Sequence, residues 1–366
     1  MKPALASTGS RYGWGEAPRI RLMIVDDSMV ARAVLTRMLE FDGGFEIAAV
    51  AGTAEDAIDA LAQVRVDIIL LDLEMPGAGG LKSIPKIIEA AHGAQVMIVS
   101  SMAEEGAEET VAALALGAAD TIPKPGTGRF NGRFSEVLMA KLRALGRVEN
   151  QEKLPPRAAV SNKALATPLR AESVAPLRLV AIGASTGGIH ALATLFQALP
   201  ARIGVPILVT QHLPAPFMNV FARQLGNASG REAIVAEDGL RLLPDRIVIA
   251  PGDAHLTVDI GGGRPVARLT RNRVSSGCLP SVDPMLSSAG AMLGAEALGI
   301  VLTGMGRDGL EGAMALVGAG GSVIVQDEAS SAVWGMPRAV ADAGLACAVL
   351  PPARIARRVA TRAGAE

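Results

Sequence analysis

The chain has 366 residues, enough for about two domains at the usual ~150 residues each. Its 50% hydrophobic and 19% charged content excludes intrinsic disorder over most of the length, and with 3% aromatics the cores must be Ala, Val, Leu, Ile and Met, which suits α/β layers. The net charge of -1 offers no basic surplus to advertise nucleic acid.

Residues 1–19 mix Gly, Pro, Ser and charge without a continuous apolar run, which predicts a disordered extension and no signal peptide. No window approaches ~18 uninterrupted apolar residues, so no membrane insertion is expected. The two cysteines, Cys278 and Cys347, are too few for a disulfide framework and fit a reducing cytoplasm. Between residues 20 and 145, apolar runs at 22–25, 45–50, 67–71, 95–100 and 118–122 read as strands. Helical patterns lie between them, for example at 28–40 and 54–64. Strands alternating with helices predict a doubly wound parallel sheet. The stretch 146–176 holds four prolines, mixed charge and no sustained period, and reads as a linker. From 177 to 366 the rhythm resumes with RLVAIGAS, VPILVTQH, RIVIAPG, LGIVLTGMG and GSVIVQD, a second parallel α/β domain.

In the first domain, polar groups stand where strands end. Asp26 and Asp27 follow the first strand, Asp72 the third and Lys124-Pro125 the fifth, while Ser100 ends the fourth. In a parallel sheet these ends share one edge, where three carboxylates repel unless a divalent cation joins them, and an oxygen-only set suits Mg2+. Lys124 and Ser100 could each hold a phosphoryl oxygen. The set DD at 26–27, D-L-E-M-P-G-A-G-G-L from Asp72, Ser100 and Lys124-Pro125 resembles the receiver domain of response regulators. That resemblance implies phosphorylation of Asp72 by a histidine kinase, with Asp27, Asp72 and the Glu74 carbonyl on Mg2+ and Asp26 acting through water. Thr121 stands where many receivers carry an aromatic residue, which argues against an aromatic-rotamer signal.

In the second domain, VAIGASTGGIHALATLFQAL (180–199) runs strand, glycine turn, helix. Three readings compete for Ser185. A dinucleotide fingerprint fails, because Gly is required where Ser185 stands. A helix N-cap would use the hydroxyl to satisfy an orphan N–H. A nucleophile on a tight turn would use the room left by Gly183, Gly187 and Gly188. A nucleophile needs a base, and of the four histidines three lie in this half. His190 falls within the helix after Ser185 and reads as a surface residue, and His255 opens an alternating segment and reads as structural. His212 ends the next strand, so it would share an edge with Ser185. Asp308, after the strand and glycine turn of GIVLTGMGRDG, is the candidate orienting acid, though it could simply compensate a helix N-terminus. The order Ser, His, Asp differs from that of α/β-hydrolases.

IGASTGG, Gln211-His212, PSVDPM (280–285) and LTGMGRDG are similar to the methylesterase domain of the chemotaxis CheB family. With the receiver, this resemblance covers residues 20 to about 360. It implies Ser185 as nucleophile, His212 as base, Asp308 as its orienting carboxylate, Met305 N–H as oxyanion donor, and Thr186 as a neighbour shaping the site. The implied substrates are glutamate γ-methyl esters and glutamines on transmembrane chemoreceptors. The implied partners are those receptors and a chemotaxis histidine kinase. No cofactor is expected for the esterase, and the location is cytoplasmic. Two other outputs compete. A DNA-binding regulator would be much shorter than the second half and would need a basic recognition helix, which is lacking. A nucleotide-binding module would need a Walker-type lysine.

Overall fold

The first two helices of the first half begin on residues suited to capping them. In the computed structural model, which describes residues 19–76, 79–100, 104–124, 132–146 and 168–365, β1 (Ile20–Val25) leads to α1 (Met29–Asp42). Ser28 caps α1 by accepting from Ala31 N–H at 3.2 Å, and Gly43 closes it at φ 73. There follow β2 (Phe45–Ala51), α2 (Ala54–Leu61) capped by Thr53, β3 (Ile68–Leu71) and α3 (Gly80–Ala90). Then come β4 (Gln95–Ser100), α4 (Glu104–Ala115), β5 (Asp120–Pro123) and α5 (Gly132–Gly146). The strands form one parallel sheet in the order β2-β1-β3-β4-β5, so the winding reverses between β1 and β3. The expected extension at 1–19 lies, except for Arg19, outside the described residues.

In the second half, β6 (Leu179–Ala184), α6 (Gly188–Ala198), β7 (Ile207–Gln211) and α7 (Ala215–Ser229) come first. Next are β8 (Ala233–Val235), β9 (Ile247–Ile249) and the hairpin β10 (His255–Gly261) and β11 (Arg264–Thr270). The chain continues through α8 (Val282–Leu293), β12 (Ala297–Val301), α9 (Leu310–Gly318) and β13 (Ser322–Gln326). It closes with α10 (Met336–Asp342), β14 (Ala346–Leu350) and α11 (Pro352–Ala363). Seven strands make a parallel sheet in the order β14-β13-β12-β6-β7-β9-β8. Its central strands are buried throughout, as their unbroken apolar runs require. The winding reverses between β6 and β12.

Two parallel α/β domains are therefore present. The sequence reading omits the short edge strands β8 and β14, which are only half-buried and carry weak apolar signals. It also omits the antiparallel pairing of β10 with β11 around Gly262-Gly263. Within the expected linker, residues 168–176 lie along the second domain. Arg170 N–H donates to Ala346 O at 3.0 Å, and Glu172 pairs with Arg358 at 2.6 Å.

Candidate active site

The turn after β6 decides the first residue. Ser185 N–H donates to Thr303 O at 3.0 Å and Ser185 O accepts from Gln211 Nε2 at 2.9 Å, which fixes the backbone between β12 and β7. Gly187, at φ 77, occupies the N-cap of α6. Ser185 is therefore not a helix cap. Its Oγ lies 3.1 Å from His212 Nδ1 instead. Close approach shapes this corner too: a Cβ on Gly304 would sit 2.4 Å from Met336 Sδ and 2.7 Å from Ser185 Cβ.

His212 follows β7, and its Nε2 lies 2.8 Å from Asp308 Oδ2. Asp308 sits after β12, ahead of α9, and is buried. Its carboxylate is not spent on its own helix. Ser281 Oγ donates to Oδ1 at 2.5 Å and Val282 N–H donates to Oδ2 at 2.7 Å. Burial alone would raise the Asp308 carboxyl. The hydrogen bonds and charge of His212, with Ser281 and Val282, outweigh burial and hold it well below the usual carboxylate range. An ionised Asp308 only accepts, so Nε2 carries the imidazole proton and Nδ1 is free to take the Ser185 proton.

Cys278 is near this pair: one ligand atom from each of His212, Cys278 and Asp308 falls within 4.8 Å of the others. Both imidazole nitrogens are already engaged, so the trio is not an open ligand set. His190 is exposed, while His255 is buried in β10.

The first domain presents a different cluster at its own reversal point. Oxygens of Asp26, Asp27 and Asp72 lie within 4.8 Å of one another, with Asp26 and Asp72 buried. Lys124 Nζ is 2.6 Å from Asp72 Oδ2 and 3.0 Å from Asp26 Oδ2. Burial raises the Asp72 carboxyl, and Asp26 adds to that effect, against the pull of Lys124 and of Glu74 N–H. Glu74 joins the site by donating its N–H to Asp72 Oδ1 at 3.2 Å. Ser100 closes β4 beside Pro123, and its side chain lies outside the described part of the structure. Thr121 is buried in β5.

These two clusters match known families. The CheB methylesterase model matches residues 180–359, and the response regulator receiver domain model matches 22–129. A protein-glutamate methylesterase/protein-glutamine glutaminase of Caulobacter vibrioides is 44% identical over 347 residues, covering 94% of this chain and 99% of that one. The chain belongs to the CheB family. A relative of the same description from Paramagnetospirillum magneticum is 40% identical, covering 92% of this chain and 94% of its own. The crystal structure of the Thermotoga maritima CheB methylesterase catalytic domain is 34% identical, covering 50% of this chain and 98% of that one, with TM-score 0.49.

The receiver of this CheB-family chain sits directly against the Ser185 turn. Ala119 O accepts from Gly187 N–H at 2.6 Å, and Asp120 Oδ2 accepts from Thr186 Oγ1 at 2.5 Å. Lys141 Nζ holds the same Asp120 oxygen at 2.6 Å. Thr186 is therefore turned toward the receiver. Glu108 of α4 pairs with Arg223 of α7 at the rim. Beside Ser185, Gly187 and Gln211, the space left under Leu114 and Ala118–Asp120 is about 10 Å³. That is room for about one water. Met305, 39% exposed, lies in the turn after Gly304. Among the described residues, nothing accepts from its N–H.

Sequence reasoning missed Asp120, Ser281 and Asp283. Asp283 lies in the first turn of α8 and accepts from Gly312 N–H at 2.7 Å. The one readable signal was Ser281 followed by Asp283 ahead of an apolar run, a helix-capping pattern.

Proposed function

We propose that this chain hydrolyses glutamate γ-methyl esters on chemotaxis receptors and deamidates receptor glutamines, with Asp72 phosphorylation as its control. The observation that carries the reading is the hydrogen-bonded line from Ser185 through His212 to Asp308. Ser185 Oγ attacks the ester carbonyl while His212 Nδ1 takes its proton, and Asp308 holds the imidazolium that results. Met305 N–H, unspent on other groups, is the donor proposed for the oxyanion. Collapse expels methanol with the proton from Nδ1, leaving a Ser185 acyl ester. Water then gives its proton to Nδ1 and attacks the acyl carbon. The products are free glutamate and a restored serine. On glutamine the leaving group is ammonia.

Asp26, Asp27 and Asp72, with the Glu74 carbonyl, would hold a Mg2+ ion, since the cluster is all oxygen; Lys124 pairs with the Asp26 and Asp72 carboxylates, while Arg32 is engaged by the Asp26 and Asp27 backbone carbonyls. When bound, the ion supplies the positive charge that a phosphoryl group and three carboxylates need to share this edge. Asp72 accepts the phosphoryl group from a chemotaxis histidine kinase, Lys124 binds one of its oxygens, and Ser100 is the proposed hydroxyl partner. The space of about 10 Å³ beside Ser185 supports inhibition by the unphosphorylated receiver. Lys124 and Asp120 both belong to the β5 region, so a pull on Lys124 is four residues from the Thr186 contact.

No helix of the described residues is long and apolar enough to cross a membrane, and the cytoplasm, where such a kinase and the receptor tails meet, is the proposed location. A nucleic-acid or nucleotide-binding output is not favoured, because the second half matches CheB methylesterase. The test is methanol release from methylated receptor membranes, with and without a small phosphodonor. Phosphodonor-stimulated release is expected. No release in either condition would reject the reading.

A further inference from the structure

Beyond the three reacting groups, the hydrogen bonding continues inward for two more residues. Ser281 is fully buried and caps α8, accepting from Asp283 N–H at 3.2 Å. Its hydroxyl proton goes to Asp308 Oδ1 at 2.5 Å. Its own backbone N–H donates to His255 Nδ1 at 2.9 Å. His255, 2% exposed at the start of β10, completes its bonding with Nε2 at 2.9 Å from Asn272 O. A carbonyl only accepts, so Nε2 bears the proton and Nδ1 must be the acceptor. That tautomer is the one that can hold Ser281. The line therefore runs His255, Ser281, Asp308, His212, Ser185, and each bond dictates the orientation of the next.

We propose that Ser281, held by His255, is a positioning residue for ester hydrolysis: it fixes the rotamer of Asp308 and tempers its negative charge. The proposal rests on the reading of Ser185, His212 and Asp308 given above. A hydrogen bond to a buried carboxylate lowers its proton affinity. Without the Ser281 hydroxyl, Asp308 binds the imidazolium more strongly, so a more alkaline medium is needed to free the base. A helix cap that did nothing but stabilise α8 would not have this effect. Neither residue touches the ester in the mechanism above, so binding should be spared.

The experiment uses the full chain activated with a phosphodonor, and follows methanol release against pH. Ser281→Ala should lower kcat by about 10- to 100-fold with little change in KM, and should move the acidic limb of kcat/KM to higher pH. Ser281→Cys, similar in shape and a weaker donor, should fall between Ser281→Ala and the parent chain. The other ionisable groups around the pair are Asp283 and Glu311 from α8 and α9, Cys278, His255, and Asp120 with Lys141 across the Thr186 turn. All of them are unchanged in these variants, so the displacement between profiles belongs to Ser281.

If Ser281→Ala does not fold, Ser281→Cys and a second pair carry the test. His255→Asn keeps an acceptor for Ser281 N–H and should retain most of kcat, whereas His255→Leu should not. An acidic limb that stays put in Ser281→Ala or Ser281→Cys overturns the proposal, as does equal activity of His255→Asn and His255→Leu. Undiminished hydrolysis by Ser185→Ala would instead overturn the underlying triad, a separately visible failure.

Discussion

The two domains place their chemistry by one topological rule and balance its charge in opposite ways. In the receiver, the winding reverses between β1 and β3, and Asp26, Asp27 and Asp72 hang from those two strands. In the catalytic domain it reverses between β6 and β12, and Ser185 and Asp308 follow those two, with His212 one strand further out. Neighbouring crossovers leave on opposite faces at such a point, which opens a crevice at the strand ends. The receiver crevice gathers carboxylates with one ammonium, and burial raises Asp72 despite Lys124. In the catalytic crevice three donors converge on the Asp308 carboxylate and keep it low. The first arrangement is one that the proposed Mg2+ ion would balance. In the second, the donors His212, Ser281 and Val282 balance the buried Asp308 charge.

The sharpest way to break this comparison is to silence one crevice and watch the other. Ser185→Ala should reduce methanol release by several orders of magnitude, because triad members act as a unit, and His212→Ala should match it. Asp308→Asn should be damaging but less complete. Phosphodonor labelling of Asp72 should persist in all three. If labelling vanished with Ser185, the crevices would not be independent. The reverse experiment is Asp72→Asn, or chelation of divalent cations. Either should abolish labelling and the stimulated part of the ester hydrolysis, leaving the basal part. Labelling that survived both treatments would place the phosphosite elsewhere.

A smaller effect is expected where the two crevices meet. Asp120→Ala removes the acceptor from Thr186 and frees Lys141. In the unphosphorylated chain it should raise methanol release by a few-fold, consistent with a domain contact whose populations shift by about 1 kcal/mol. Reversing the rim charges with Arg223→Glu should act in the same direction. If both variants were slower than the parent chain, with phosphodonor still stimulating it, the receiver would be assisting the catalytic domain rather than covering it.

Strand ends were the legible part of this molecule. Unbroken apolar runs identified the central strands; the residue after the run gave Asp26, Asp72, Ser185 and His212, and the glycine turn after β12 gave Asp308. Two kinds of feature were not legible. Edge strands such as β8 and β14 carry half-buried residues and therefore mixed patterns. Contacts between distant segments leave no local trace: nothing around Asp120 announces Thr186, 66 residues away, and nothing around Ser281 announces Asp308 or His255. The competing reading of Ser185 as a helix cap fails for a reason of backbone geometry. The left-handed Gly187, two residues past the serine, takes the cap position, so the helix starts at Gly188 and the Ser185 hydroxyl is left for His212.

The subtlest difference between the crevices lies behind the triad, at Asp283. Burial pushes this carboxyl up to about 7, against the Gly312 N–H, with the negative charges of Asp308 and Glu311 adding to the rise. A carboxyl raised on folding stabilises the fold fully below its unfolded value of 3.8, and that contribution is lost as pH climbs through about 7. Asp308 has the opposite sign, since its depressed carboxyl contributes above the unfolded value and fails only in acid. Thermal unfolding of the parent chain should therefore shift to lower temperature between about pH 4.5 and about 7.5, within the range of a few degrees expected for effects of this size. Asp283→Asn preserves an oxygen for Gly312 N–H and removes the titration, so its melting temperature should vary less over the same interval. Parallel curves for the two proteins would mean that Asp283 is ionised throughout, and the charge contrast between the crevices would then stop at Asp308.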